Sequence, residues 1–186
     1  MWTVLGAAAA LGAATYALDV PVRRELAARA ARACARARGL PLINVGAGTD
    51  QTAMFGATLY GDVNVDLAGR RDVPHGTPGG VTYADAERLP FATGAFGALL
   101  ASHVLEHLPH PGRAIREWLR VVGGDPRCLF VVTPSGWAPH AWLHPGHLWY
   151  FPDGAGCTRE PVCVPQRLGH GMPGAAPPLL LAGWGR

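Results

Sequence analysis

Short apolar runs alternate with polar and helix-forming stretches between residues 42 and 134. Residues 112–122 place apolar side chains on one helical face, and a brief helix is expected around residues 50–57. The apolar or alternating runs predict strands over residues 42–45, 61–67, 81–85, 96–102 and 128–134. Strands and helices in this repeated order favour a sheet built from crossover connections. We therefore predict an α/β fold with a doubly wound, mostly parallel sheet and helices on both faces.

An apolar N-terminal helix is predicted ahead of this sheet, because residues 1–18 carry no charged side chain. Such a helix would be about 27 Å long, close to the thickness of a membrane's hydrocarbon core. Seven alanines and two glycines weaken its tendency to insert. Two interpretations stay open: a single membrane anchor, or a helix packed on the domain. An anchor would leave the arginines that follow it on the cytoplasmic side.

Residues 19–39 predict a second helix, rich in alanine and arginine. Pro21 suits its first turn, and Gly39 marks its end. Six arginines lie between Arg23 and Arg38. They favour a basic amphipathic helix lying on anionic lipid beside the anchor. A solvated helix whose alanine face packs on the sheet is equally consistent, and the two interpretations are compatible.

Composition limits the function classes. The 186 residues fit one domain, and the net charge of +3 reflects the local arginine cluster. The rest of the chain has no basic stripe with interleaved aromatic residues, so we predict no nucleic-acid partner. The four cysteines are scattered without a CxxC pair, which predicts reduced thiols in a cytosol-facing domain.

Small and acidic residues stand at the carboxyl ends of the predicted strands, where ligands of such sheets bind. Gly46 and Gly48 allow the backbone to turn sharply and to approach a ligand closely. Asp66 lies twenty residues after Gly46, the spacing at which an acid accepts hydrogen bonds from both ribose hydroxyls. Asp85, one strand further on, could accept a hydrogen bond from an adenine amino group. Together these positions predict an adenosine site.

The acidic residue after the glycine turn limits the classes of ligand that could bind there. Asp50 would put a carboxylate at a helix N-terminus, where it would repel a pyrophosphate. NAD and FAD are therefore disfavoured. A ligand with a cationic sulfonium and an ammonium group would tolerate this carboxylate.

Residues 42 to about 152 resemble a class I S-adenosylmethionine-dependent methyltransferase, of the methyltransferase type 11 kind. The matching stretches are "INVGAGTD", "GDVNVDL", "ADAERLPFATGAFGALLASHVLEHLPHPGRAIREWLRVV" and "LFVVTPS". The long stretch is the most specific, because its acid, "LPF", "HVLEHL" and "W-L-R-V" helix occur in the family's order. The resemblance implies a Rossmann-like fold, S-adenosylmethionine as the cofactor, and a methyl acceptor that is a small molecule, a lipid or a protein.

The resemblance also implies residue roles. Residues 46–48 would contact the methionine and ribose sides of the cofactor, Asp66 the ribose, and Asp85 with Ala86 the adenine. His103, at a strand end, is the candidate catalytic base. The predicted cofactor-binding residues are Asn44, Gly46, Ala47, Gly48, Asp66, Leu67, Asp85, Ala86 and Ser102.

A non-catalytic binding or scaffold protein with a methyltransferase fold is the alternative function. Asn44 stands where the family usually has an acid, Asp50 where it has glycine, and Gly97 where an Asp commonly follows the phenylalanine. These departures and the short C-terminal part favour the alternative, whereas the ordered set of motifs favours the enzyme.

A group of histidines raises a third hypothesis, a zinc site. His140, His144 and His147 are spaced four and three residues apart, with Cys157 and Cys163 downstream. Prolines interrupt this stretch, and no HExxH glutamate accompanies it. We therefore expect a substrate-side loop with surface histidines and no bound metal. His107 is expected to be a buried, hydrogen-bonded helix histidine.

The predicted organisation has four segments. Residues 1–18 form the anchor candidate, residues 19–39 the basic helix, residues 40–152 the methyltransferase-like domain, and residues 153–186 a loosely ordered Gly/Pro-rich tail with one edge strand at most. We expect membrane contact through residues 1–38 with the domain in the cytoplasm. A soluble cytoplasmic protein is the alternative.

Overall fold

The centre of the protein is a five-stranded sheet in which every neighbouring pair of strands is parallel. The computed structural model describes residues 21–48, 59–134, 141, 144–151 and 166–167. The strands are β1 (Leu42–Val45), β2 (Val63–Asp66), β3 (Thr82–Tyr83), β4 (Ala98–Ser102) and β5 (Leu129–Val132). Their order in the sheet is β3-β2-β1-β4-β5. The predicted parallel α/β fold is confirmed.

Helices cover both faces of this sheet. Helix α1 spans residues 21–37, and helix α2 (Pro111–Val121) begins with the proline that a first helical turn favours. Two short 3₁₀ helices follow β4 and precede β5: η1 (Leu105–His107) and η2 (Pro126–Cys128).

Alternation along the strands divides the core into two layers. Ile43 and Leu99 pack in the layer that includes α2, whereas their neighbours Leu42 and Leu100 pack in the layer that includes α1. This division follows from the two-residue period of a strand, which points successive side chains to opposite faces. On the α2 side, Trp118 is fully buried and donates its Nε1–H to the carbonyl of Ala86 at 2.9 Å.

Helix α1 packs its alanine face on the sheet. Ala28, Ala31 and Ala35 are buried at helical spacing. Its arginines reach other elements: Arg24 Nε donates to Ser102 Oγ at 3.2 Å, and Arg32 pairs with Asp62 at 2.5 Å. Residues 21–37 therefore pack as the packed-helix interpretation expects, and contact with lipid stays a prediction.

Several further predictions concern segments outside the main sheet. Within the described residues, no helix is long and apolar enough to cross a membrane. The predicted anchor, residues 1–18, and the helix predicted around residues 50–57 lie outside the described residues. After the main sheet, β6 (Trp149–Tyr150) pairs antiparallel with β7 (Gln166–Arg167), a pairing that the sequence did not predict.

The prediction of reduced thiols is wrong for one pair of cysteines. Cys34 of α1 and Cys128 of η2 form a disulfide across 94 residues of sequence, with their Cα atoms 6.1 Å apart. Sequence spacing could not reveal this, because the packing of α1 on the sheet brings the two residues together. The Cα separation lies within the range that a disulfide can bridge.

Candidate functional site

A crevice of about 790 Å³ opens at the carboxyl ends of the strands. Its volume is within the roughly 300–1,000 Å³ typical of small-molecule sites. The strand order reverses between β1 and β4, and crevices beside such a reversal are where open α/β sheets bind ligands. Most of the predicted site residues line it: Gly46, Gly48, Asp66, Leu67, Asp85, Ala86 and His103.

The turn after β1 has a backbone conformation that favours glycine. Gly46 and Gly48 have φ values of 72° and 74°, in the left-handed region that side chains rarely adopt. The N–H groups of Gly46 and Ala47 donate to the carbonyl of Val65, at 2.8 and 3.1 Å. A Cβ atom at Gly46 would collide with the Val104 side chain. Glycine at position 46 therefore allows the turn to pack directly against Val104, which also lines the crevice.

Asp66 connects β2 to that turn. Its Oδ2 accepts a hydrogen bond from Gly48 N–H, and its Oδ1 accepts one from Ala68 N–H, each at 2.9 Å. A carboxylate offers about four acceptor positions. Asp66 can therefore hold the glycine turn in place and still accept hydrogen bonds from a ligand in the crevice.

The segment after β3 is fixed by its own hydrogen bonds. Asp85 Oδ1 accepts from Glu87 N–H at 2.9 Å, while the Ala86 carbonyl is held by Trp118. Asp85 and Ala86 thus line the crevice from a preformed turn, and their contact with adenine stays a prediction.

A partly buried ion pair between Glu117 and Arg120 stabilises this segment. Glu117 Oε1 accepts from Leu89 N–H at 2.8 Å and from Arg120 Nη2 at 2.7 Å. The hydrogen bond from Arg120 is the main reason why the pKa of Glu117 lies below its usual range. Arg120 also donates to the carbonyl of Phe91 at 2.8 Å. Helix α2 therefore fixes the loop that borders the crevice.

Three predicted cofactor-binding residues are not among the described residues that line the crevice: Asn44, Ala47 and Ser102. Asn44 is 2% exposed, and its Nδ2 donates to Asn64 Oδ1 of the neighbouring strand at 3.2 Å. Ser102 accepts a hydrogen bond from Arg24 of α1. A binding role for these three residues stays a prediction.

His103 stands at the end of β4 in an unusual conformation. Its φ is 57°, and its N–H donates to the Val132 carbonyl at 2.7 Å. Its Nδ1 lies 3.3 Å from Oε1 of Glu106, which is 1% exposed. Neither carboxylate oxygen of Glu106 has a hydrogen-bond partner within the described part of the chain. Backbone strain beside a buried carboxylate is typical of functional positions, and an imidazole placed there can take up a proton.

Part of the sequence that forms this crevice matches a known protein family. Residues 43–130 match the sequence model of a family described as a methyltransferase domain. This stretch of the chain is therefore similar to a methyltransferase domain. No curated protein matches the chain. The matched range runs from β1 into β5 and contains every predicted residue that lines the crevice.

Several residues that line the crevice were missed by sequence reasoning. They are Glu87, Val104, Leu108, Pro109, His110 and Arg113. Glu87 Oε1 accepts a hydrogen bond from the His110 N–H at 2.8 Å. The stretch "HVLEHLPHPGR" directly follows the end of β4. That position was the available signal that more than His103 would face the crevice.

The fold groups the histidines differently from what their spacing in the sequence suggests. His107 is exposed, so the prediction of a buried residue is wrong, although its Nδ1 does bond to the Gly146 carbonyl at 2.8 Å. It lies beside His144 and His147, and one ligand atom from each comes within 4.8 Å of the others. His140, Cys157 and Cys163 lie outside the described residues. Burial lowers the pKa of His147, so its imidazole is favoured in the neutral form.

Proposed function

We propose that this protein transfers a methyl group from S-adenosylmethionine to an acceptor bound beside His103. The observation that carries the proposal is the convergence of three strand ends on one crevice. The glycine turn follows β1, Asp66 ends β2, and Asp85 follows β3. Each supplies a group with a separate task in adenosine recognition: close backbone approach, a carboxylate for the ribose and a carboxylate for the adenine.

The residues present fit the cofactor. At Gly46, the absence of a Cβ atom lets the Val104 side chain pack directly against the turn, and both residues line the crevice that would hold the cofactor. Asp66 would hold the ribose hydroxyls, and Asp85 with Ala86 would hold the adenine. When bound, S-adenosylmethionine supplies an electrophilic methyl group on a sulfonium, a good leaving group.

The protein's part in such a transfer is alignment and exclusion of water. Holding two reactants in line is worth up to about 7–11 kcal/mol, and no nucleophilic side chain is required. Some acceptors must lose a proton while their bond to the transferred methyl group forms. Such an acceptor needs a base nearby. His103 can take that proton, and Glu106 can stabilise the resulting imidazolium ion from 3.3 Å.

A non-catalytic binding protein is the second candidate, and the position of Asn44 favours it. Residue 44 is an asparagine, so β1 presents no carboxylate to a ligand's ammonium group. Its side chain also bonds to Asn64 inside the sheet. Weak cofactor binding would follow, and with it a protein that serves as a scaffold.

Calorimetric titration of the full chain with S-adenosylhomocysteine tests the proposal. Charge-assisted hydrogen bonds contribute about 1.5–3 kcal/mol each, and about 1.4 kcal/mol is one decade in affinity. Asp66→Ala should therefore weaken binding at least tenfold, and Asp85→Ala should weaken it less because a single neutral amino group is its expected partner. Asp66→Asn isolates the charge. Asp72→Ala is the matched control, since this carboxylate is 69% exposed and pairs with Arg70 outside the crevice.

Three results separate the candidates. Wild-type binding that is unaffected by Asp66→Ala would show that the site is misplaced. No wild-type binding at millimolar ligand would establish the scaffold. Binding followed by methyl transfer to a small-molecule, lipid or protein pool, lost in Asp66→Ala, would establish the enzyme. Urea unfolding of each variant checks that the glycine turn, which Asp66 also holds, has not simply unfolded.

A further inference from the structure

Three histidines from two distant parts of the chain meet at the rim of the crevice. The ring centroids of His144 and His147 are 4.5 Å apart, and those of His107 and His147 are 4.7 Å apart. His107 itself lines the crevice. The sequence separates His107 from the other two by 37 and 40 residues, so the fold alone creates this group.

The loop that carries His144 and His147 is bound firmly to η1. The carbonyl of Glu106 accepts from Leu148 N–H at 2.7 Å, and the carbonyl of Leu108 accepts from Trp149 Nε1–H at 2.7 Å. These bonds flank the contact between His107 and the Gly146 carbonyl. The backbone that carries the three imidazoles is therefore fixed, while the rings themselves can still adjust.

Two of the imidazoles have the tautomer that a metal ligand needs. His107 Nδ1 lies 2.8 Å from the Gly146 carbonyl, and His147 Nδ1 lies 2.8 Å from the Ala141 carbonyl. Because a carbonyl can only accept, each Nδ1 carries a hydrogen, and in the neutral ring Nε2 then carries the lone pair. A backbone carbonyl on the second ring nitrogen is the usual arrangement around metal-bound histidine.

The third imidazole would have to adjust. His144 Nδ1 accepts a hydrogen bond from Gly146 N–H at 3.1 Å, and binding a metal would break this bond. Donor nitrogens around a tetrahedral zinc ion are about 3.3 Å apart, given zinc–nitrogen distances of about 2.0–2.1 Å. Here they lie within 4.8 Å of one another, so the group must contract by up to about 1.5 Å. His144 is exposed and can supply most of that movement.

We propose that His107, His144 and His147 bind a divalent transition-metal ion, with zinc the best match to three imidazole ligands. Three protein ligands leave a fourth position open. Because His107 also lines the crevice, a water molecule or an oxygen or nitrogen atom of a crevice ligand can fill it. This site goes beyond the proposed methyl transfer and departs from the absence of metal expected from the sequence.

The experiment measures metal binding directly and needs no methyltransferase activity. The full chain, prepared without a histidine tag, is stripped with a chelator and titrated with Zn²⁺ against a chromophoric competitor. A parallel titration with Co²⁺ follows the visible absorption that reports four-coordinate geometry. We expect one metal ion per chain and at least tenfold weaker binding in His107→Ala, His144→Ala and His147→Ala.

Control variants keep the result interpretable. His110→Ala removes an exposed histidine of the same crevice that lies outside the group, and it should change the affinity less than twofold. If buried His147→Ala fails to fold, exposed His144→Ala still tests the site, with circular dichroism as the check. The proposal is overturned if wild type binds no stoichiometric metal, or if His107→Ala binds it as wild type does. It is equally overturned if His140→Ala or Cys157→Ser abolishes binding while His107→Ala does not.

Discussion

Replacing Gly46 with alanine tests how far the turn after β1 depends on glycine. We expect the replacement to be unfavourable for two separate reasons. The first is conformational, since the backbone there has a φ of 72°. A residue with a Cβ atom in that left-handed region costs about 1–2 kcal/mol. The second is steric, because the new methyl group would overlap Cγ2 of Val104. Overpacking of this kind costs typically about 1–3 kcal/mol.

The expected loss of unfolding free energy is therefore roughly 2–5 kcal/mol, a large part of the roughly 5–15 kcal/mol that stabilises a typical domain. Val104 is only partly buried and can move, which favours the lower half of this range. Equilibrium unfolding in urea measures the loss. The same variant should also bind S-adenosylhomocysteine more weakly, because the added methyl group narrows the crevice beside the turn.

Two controls separate the contributions. Gly79→Ala changes a glycine with a nearly identical φ of 70° and nothing within 4 Å of the new atom, so it isolates the conformational cost. Val104→Ala removes the colliding methyl group. In the double variant Gly46→Ala/Val104→Ala, the remaining Cβ of residue 104 would lie 3.3 Å from the new atom, a tight but tolerable contact. The double variant should therefore be less destabilised than the sum of the two single variants, by about 1–3 kcal/mol. The reasoning is refuted if Gly46→Ala costs no more than Gly79→Ala, or if the two changes simply add.

Two further predictions concern the acid dependence of stability and the location of the protein. The pKa of Glu117 is lowered in the folded state, so its carboxylate stabilises the protein above its unfolded pKa of about 4.3 and loses that effect as the pH falls through the lower folded value. The urea midpoint should accordingly fall less between pH 6 and pH 3 in Glu117→Gln than in wild type, and equal slopes would contradict the assignment. The full chain should sediment with membranes at physiological salt, whereas a version that starts at Pro21 should not. If both forms stay in the supernatant, the prediction of an anchor in residues 1–18 is wrong.

The sequence by itself determined the strands and the main chemistry of the crevice. Apolar runs predict buried parallel strands because burial on both faces requires nearly continuous hydrophobicity. Gly46, Asp66, Asp85 and His103 could be assigned to the crevice because the carboxyl ends of parallel strands share one edge of a sheet. Both arguments depend only on local pattern and on a general rule of topology.

Two departures from the family pattern were explained only by the tertiary structure. A Cβ atom at Gly97 would lie 2.8 Å from the Cα atom of Ala35, so the close approach of α1 requires glycine where the family has an acid. Asn44 faces the α1 side of the sheet and pairs with Asn64, its register partner on β2. The neighbours that explain both residues lie on other elements and are brought close by packing. A sequence pattern within one segment does not contain those neighbours.

The long-range pairs were likewise beyond the sequence. Cys34 meets Cys128 because α1 lies across the sheet face near the start of β5. His107 meets His144 and His147 because backbone hydrogen bonds fix a distant loop on η1. Sequence spacing constrains side chains only within a helix or a strand, where the backbone geometry is regular. Contacts between separate elements depend on how those elements pack, which only the folded chain decides.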